Sequence, residues 1–288
     1  MHTPNQAAVP RLAGLAEIAD HFDAAILDQW GVLHDGAKAP PGAVEAVSAM
    51  AAAGKNLAIL SNSARLGGDS LGRLIALGYD PGWFSAIITS GEMARDMLRE
   101  RLDPLFAVLG RSVYLIARDD TLIEGTDYRR AAALDQADFL LFGSSTAPEM
   151  SLADDYARVL AEAAARGLPA ICANPDKVGV AASGLIEGPG TLAAHYESLG
   201  GVVRYLGKPH PEVYVRAMAR LGGVPAARVA AIGDSLEHDI AGGHRAGCLT
   251  VFVEGGIHAA DLAKPDGLTG LCERYAARPD FTIPRLVW

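Results

Sequence analysis

Ala24-Ala25-Ile26-Leu27-Asp28-Gln29-Trp30-Gly31-Val32 is the stretch whose reading decides the fold. Four apolar residues make a short strand, a carboxylate ends it, and Gly31 offers a turn soon after. A short run that is apolar throughout, rather than at alternate positions, suits a strand covered on both faces, as in a parallel sheet. An acid at the carboxyl end of such a strand lies in the crevice where open α/β sheets bind ligands. Far downstream, Val229-Ala230-Ala231-Ile232-Gly233-Asp234 repeats the pattern, and Asp239 follows within Ser235-Leu236-Glu237-His238-Asp239-Ile240. Two such strand ends side by side form a carboxylate cluster that needs a cation, and hard oxygen ligands beside a phosphate suit Mg²⁺.

Outward from these two strands, apolar runs alternate with helical patterns, as expected for a parallel sheet with crossover helices. The first strand is followed by a helix over 43–53, a strand over 57–60, a helix over 69–77, a strand over 86–89 and a helix from Gly91-Glu92. The rhythm loosens between Arg101 and Arg111. A second set follows, with strands over 113–116, 139–142 and 170–172 and an amphipathic helix over 152–166. The segment 184–190 and Gly200-Gly201 read as a return path. From Tyr205 the first rhythm resumes, with a helix over 211–221, a strand over 229–232, a helix over 236–245 and a strand over 250–253. The predicted organisation is a core of residues 1–104 and 204–288, interrupted by a domain at 105–203 that is large enough to hold a core of its own.

The chain has 288 residues, half of them apolar, so core material is ample. Its net charge of −9, with no face-spanning run of Lys and Arg, argues against a nucleic-acid surface. Cys172, Cys248 and Cys272 are odd in number and too far apart for a metal clip, which fits a reducing compartment. The segment from Met1 to Asp28 carries no long apolar run after a basic start, so neither a secretory signal nor a membrane anchor is expected. The expected location is the cytoplasm.

A carboxylate such as Asp28 can attack phosphorus and split a difficult hydrolysis into two easier steps. It needs electrostatic help to approach a dianion, which a cation held by Asp28 and Asp234 and an ammonium group would supply. Lys208 is the candidate for the latter, in Leu206-Gly207-Lys208-Pro209-His210-Pro211, where prolines stiffen the turn before a helix. Ser61-Asn62 follows the strand over 57–60, where a hydroxyl and free backbone N–H groups can hold phosphate oxygens. No Gly-x-Gly-x-x-Gly follows the first strand, and Gly188-Pro189-Gly190 does not lie between a strand and a helix in this reading, which excludes a nucleotide-binding oxidoreductase.

Taken in order, Asp28-Gln29-Trp30-Gly31-Val32, Ser61-Asn62, Gly207-Lys208-Pro209 and Gly233-Asp234 through Asp239 resemble the four motifs of the haloacid dehalogenase (HAD) superfamily. The similarity is to class IIA, the NagD-like and 4-nitrophenylphosphatase-like group, whose Asn-Pro-Asp cap signature is matched by Asn174-Pro175-Asp176. It spans nearly the whole chain. The resemblance implies an α/β fold, a Rossmann-like core with a parallel sheet and an inserted C2-type α/β cap. It further implies Mg²⁺-dependent hydrolysis of a small phosphorylated metabolite. Asp28 is then the nucleophile. Asp28, the Trp30 carbonyl, Asp234 and Asp239 serve the metal, and Ser61, Asn62 and Lys208 hold the phosphoryl group. Asn174 and Asp176 are expected to shape the cap loop, and the cap of the family often mediates a homodimer.

Where the family carries a second aspartate, two residues after the nucleophile, this chain has Trp30. An indole N–H donates a hydrogen bond but transfers no proton near neutral pH, and a missing general acid costs about 10²- to 10⁴-fold. Three outcomes stay open from the sequence. Substrates with good leaving groups would need no acid; His34, Asp35 or His238 would supply the proton; or catalysis is lost and the chain binds a phosphorylated ligand in a regulatory role.

Overall fold

The computed structural model describes residues 8–101, 104–144, 152–181 and 184–288. The chain divides into two compact units. One takes the residues up to Ile59, Leu77–Ala86 and Tyr214–Trp288; the other takes Leu60–Ala76 and Ile87–Val213.

The first unit holds most of a six-stranded sheet in the order Phe281–Ile283, Leu249–Val253, Val229–Gly233, Ala24–Leu27, Asn56–Ser61, Phe84–Thr89, of which Leu60–Ser61 and Ile87–Thr89 are counted with the other unit. Ala24–Leu27 pairs in parallel with Val229–Ile232 on one side and with Asn56–Ile59 on the other. Every residue of Ala24–Leu27 and of Val229–Gly233 is buried, which is why their sequences are apolar without alternation. The amino ends of these strands are tied together. Asp23 N–H donates to Arg228 O at 2.8 Å, Asn56 N–H to Asp23 O at 3.1 Å, and the Arg228 guanidinium grips both Asp23 carboxylate oxygens at 2.6 and 2.8 Å. With the register set there, the carboxyl ends come level, and Asp28 N–H donates to Ile232 O at 2.9 Å.

The helix expected over 236–245 has two parts. Leu236–Ile240 forms a wide turn in which the Ser235 carbonyl accepts from both Asp239 N at 2.9 Å and Ile240 N at 3.1 Å, and regular helix follows over Ala241–Arg245. Leu236 and Ile240 bury against Phe252, Leu271 and Ala277, at about 1.5–3 kcal/mol for a large apolar side chain. The strand Phe281–Ile283 and the helix Gly267–Tyr275 have no counterpart in the sequence reading.

The second unit contains a five-stranded sheet in the order Val202–Tyr205, Pro169–Cys172, Phe139–Phe142, Ser112–Ile116, Arg129–Arg130, all parallel. Its core gathers Phe142, Leu140, Leu160, Cys172, Leu192 and Tyr196. The amphipathic helix runs over Leu152–Ala165. The segment read as a return path is instead an antiparallel pair, Val178–Ala181 with Gly184–Glu187, followed by the helix Pro189–Ser198. Proline at the first helical position suits that start. Gly188 N–H donates to Lys177 O at 2.8 Å and Gly190 N–H to Asp176 O at 3.0 Å, closing the turn that carries Asn174-Pro175-Asp176. Among the described residues no helix is long and apolar enough to cross a membrane.

Candidate active site

Asp28, Asp234 and Asp239 are all buried, and one carboxylate oxygen of each lies within 4.8 Å of the others. Two unit charges at that separation repel by about 3.5 kcal/mol at an effective dielectric constant of 20, so three ionised groups ask for a counter-charge. Bonds of about 2.1 Å to a divalent cation place its ligand oxygens no more than roughly 4.2 Å apart, which the 4.8 Å limit on these three oxygens allows. The donor set, hard oxygen only, fits Mg²⁺.

Asp239 and Asp234 are held by their surroundings. Asp239 Oδ2 accepts from Ser235 N at 3.0 Å, and a Cβ at Gly233 would lie 2.0 Å from Asp239 Cγ. The Gly-Asp pairing therefore leaves room for the later carboxylate. Asp234 Oδ2 accepts from Ile257 N at 2.8 Å. Gly31 and Gly256 close on the same oxygen, with Cβ positions that would fall 2.0 and 1.8 Å from it. Gly31 also has φ +79°, a left-handed conformation that glycine adopts at little cost. Ser235 Oγ accepts from His238 N at 3.2 Å, and the Tyr214 hydroxyl lies 3.2 Å from the carbonyls of both His238 and Asp239, fixing the wide turn.

The loop after Asp28 folds back on itself. Gly31 N–H donates to His34 O at 2.8 Å, while Leu33 and His34 N–H donate to Gln29 O at 2.9 and 3.1 Å. Trp30 is half-buried, its ring edge-on to His34 with centroids 4.7 Å apart. His34 is fully buried, and its Nδ1 accepts from Gly36 N at 3.0 Å, which leaves the proton of the neutral ring on Nε2. The Asp35 carboxylate accepts from Ala37 and Lys38 N at 2.9 Å each, and these bonds hold it below the usual carboxylate range. Asp35 thus stays ionised near neutral pH and is no proton donor, while His34 is sealed from solvent beside Trp30.

In the second unit, Ser61, Asn62 and Lys208 are buried. Ser61 Oγ accepts from Ser63 N at 3.2 Å. Asn62 clasps Lys208 by its backbone: Oδ1 accepts from Lys208 N at 2.7 Å and Nδ2 donates to Lys208 O at 3.2 Å. The same Nδ2 donates to Asp176 Oδ1 at 2.7 Å. The structure thus brings Asp28, Asp234 and Asp239 together in one unit and Asn62, Lys208 and Asp176 together in the other. Sequence reasoning missed Gly256 and Ser235. A glycine pair one residue beyond an apolar strand, Gly255-Gly256, was the available sign of the first.

Residues 25–128 match a family model described as haloacid dehalogenase-like hydrolase, and residues 205–287 match a second, HAD-hydrolase-like model. The chain belongs to the haloacid dehalogenase-like hydrolases. It is 28% identical to human chronophin over 267 residues, 88% of each chain. It is also 28% identical to the ribonucleotide monophosphatase NagD of Escherichia coli over 82% of this chain and 89% of that one. Among solved structures, a haloacid dehalogenase-like hydrolase from Brucella suis superposes with a TM-score of 0.83 at 28% identity, covering 96% of this chain and all of that one. The p-nitrophenyl phosphatase of Archaeoglobus fulgidus superposes with a TM-score of 0.70 at 26% identity, covering 92% and 96%. Within the HAD hydrolases the chain is therefore a class IIA enzyme, of the phosphatase kind.

Proposed function

We propose that this HAD hydrolase is a Mg²⁺-dependent phosphatase acting on a small phosphorylated metabolite through an aspartyl-phosphate intermediate on Asp28. The observation that carries the reading is the convergence of three buried carboxylates, one of them at the end of the central strand Ala24–Leu27. Phosphatase activity in the names of NagD and the Archaeoglobus enzyme supports turnover rather than ligand binding alone.

Asp28, Asp234 and the Trp30 carbonyl would hold the metal, with Asp239 completing or orienting the set. When bound, Mg²⁺ neutralises the approach of a dianion and polarises the phosphoryl group. An Asp28 carboxylate oxygen forms a bond to phosphorus as the ester P–O bond breaks, and the leaving oxygen takes its electrons and then a proton from water. A second water attacks phosphorus, frees inorganic phosphate and restores the Asp28 carboxylate. Lys208 supplies a positive charge to the transferring group, Ser61 a hydroxyl, and Asn62 orders the lysine loop. Residues 105–203 act as the cap that shapes specificity and excludes water.

With Trp30 beside the nucleophile, Asp35 ionised and His34 enclosed, turnover favours esters whose leaving group needs no proton, such as aryl or acyl phosphates. The test compares Mg²⁺-dependent phosphate release from p-nitrophenyl phosphate and a sugar phosphate in wild type, Asp28→Asn and Trp30→Asp. Asp28→Asn is expected to abolish release while melting like wild type, and Trp30→Asp to extend turnover to the sugar phosphate. Retained turnover in folded Asp28→Asn refutes the nucleophile.

A further inference from the structure

We infer that Asp176 is a positioning residue for Lys208, acting through the Asn62 amide; this rests on the phosphate-binding role proposed above for Lys208. Asn62 holds both the N–H and the C=O of Lys208, at 2.7 and 3.2 Å, as a neighbouring strand would. A carboxamide can turn over, and its two ends are distinguished only by their partners. An ionised carboxylate accepts hydrogen bonds and donates none. At 2.7 Å from Nδ2, Asp176 Oδ1 therefore rejects the orientation that would present the amide oxygen to it. The lysine peptide then always meets the matching ends of the amide.

Asp176 is itself fixed for the task. Its N–H donates to Asn174 Oδ1 at 3.0 Å, its carbonyl accepts from Gly190 N at 3.0 Å, and Pro175 stiffens the turn between. The Asn-Pro-Asp turn, 114 residues from Asn62 in sequence, thereby sets the peptide that carries the lysine.

The readout is the inhibition constant of inorganic phosphate against p-nitrophenyl phosphate hydrolysis by the full chain, in a double-mutant cycle. Asp176→Ala is expected to weaken phosphate inhibition about tenfold, the scale of one charge-assisted hydrogen bond. In the Lys208→Ala background the same substitution should add nothing, because the group it positions is gone. Asp176→Asn, which can turn its own amide to meet either orientation of Asn62, no longer rejects the wrong one and should weaken phosphate inhibition by an amount between wild type and Asp176→Ala. An unchanged constant in Asp176→Ala, or an equal loss in both backgrounds, overturns the inference. If Asp176→Ala does not fold, Asp176→Ser, too short to reach Asn62, runs the same cycle. An unchanged constant in Lys208→Ala alone removes the Lys208 reading, and this inference with it.

Discussion

Replacing Gly256 by alanine tests whether the carboxylate cluster is a metal site whose geometry is set by backbone rather than by the acids alone. Gly256 does not have a left-handed backbone, so alanine brings no conformational penalty of that kind. The added Cβ would sit 1.8 Å from Asp234 Oδ2 and 2.4 Å from its Cγ, where real Cβ contacts under 3.0 Å essentially do not occur. Asp234, or the Gly255–Ile257 backbone, must retreat by about 1.6 Å to reach ordinary contact. Either movement disrupts the 2.8 Å bond from Ile257 N to Asp234 Oδ2. A hydrogen bond to a charged group is worth about 1.5–3 kcal/mol, and losing a group that orients a metal ligand costs about 10- to 100-fold in metal affinity or activity. The Mg²⁺ concentration for half-maximal activity should rise by that factor. The stabilisation of the fold by Mg²⁺, read as a shift in melting temperature, should need correspondingly more metal. A folded Gly256→Ala protein with the wild-type Mg²⁺ midpoint in both assays would refute the argument.

Two further outcomes are expected. Gly72 lies in the helix Gly67–Ala76 with nothing within 4 Å of its Cβ position, so Gly72→Ala should stabilise by about 0.5–1 kcal/mol and raise the melting temperature by about 1–3 °C; a fall would show that the helix is not formed as described. His258 is buried between Phe252 and Tyr275, and burial lowers its pKa from the usual 6.5 although Asp261 opposes the shift; Arg274 lowers it further. The unfolded chain therefore binds a proton first as the pH falls, so this contribution is complete above about pH 6.5 and is lost below it, down to the depressed native value. His258→Phe should shrink the drop in melting temperature between pH 7.5 and 5.5, and an unchanged drop would contradict the assignment.

The residues that could be read from sequence are those whose chemistry is local. Ala24–Leu27 and Phe139–Phe142 are apolar throughout because both faces are covered, and their limits match the reading to the residue. Asp28 and Asp234 stood out because an acid ends such a run. The strand Phe281–Ile283 was not readable because three residues carry no period. The wide turn at Leu236–Ile240 was hidden because ten residues do not separate an ordinary helical period from a looser one. Asn62 was legible only as the residue that follows the strand Asn56–Ser61. Its grip on Lys208, 146 residues away, leaves no trace in the residues around either partner. Trp30 announced itself as a departure, yet the enclosure of His34 and the capture of Asp35 by two backbone N–H groups emerged only from the folded loop.

The doubled acceptance at the Ser235 carbonyl has a genetic corollary. A turn of this width accommodates one residue more than a regular helix would over the same advance, and a helical residue contributes about 100° of rotation and 1.5 Å of rise. An in-frame insertion of a single codon between Ser235 and Asp239 would add one residue's rotation and rise to the segment and swing Asp239 away from Asp28 and Asp234. All three aspartates would still be encoded, in the same order, and the cluster would be gone. Spacing, as much as residue identity, is what a mutational scan of this segment should find intolerant.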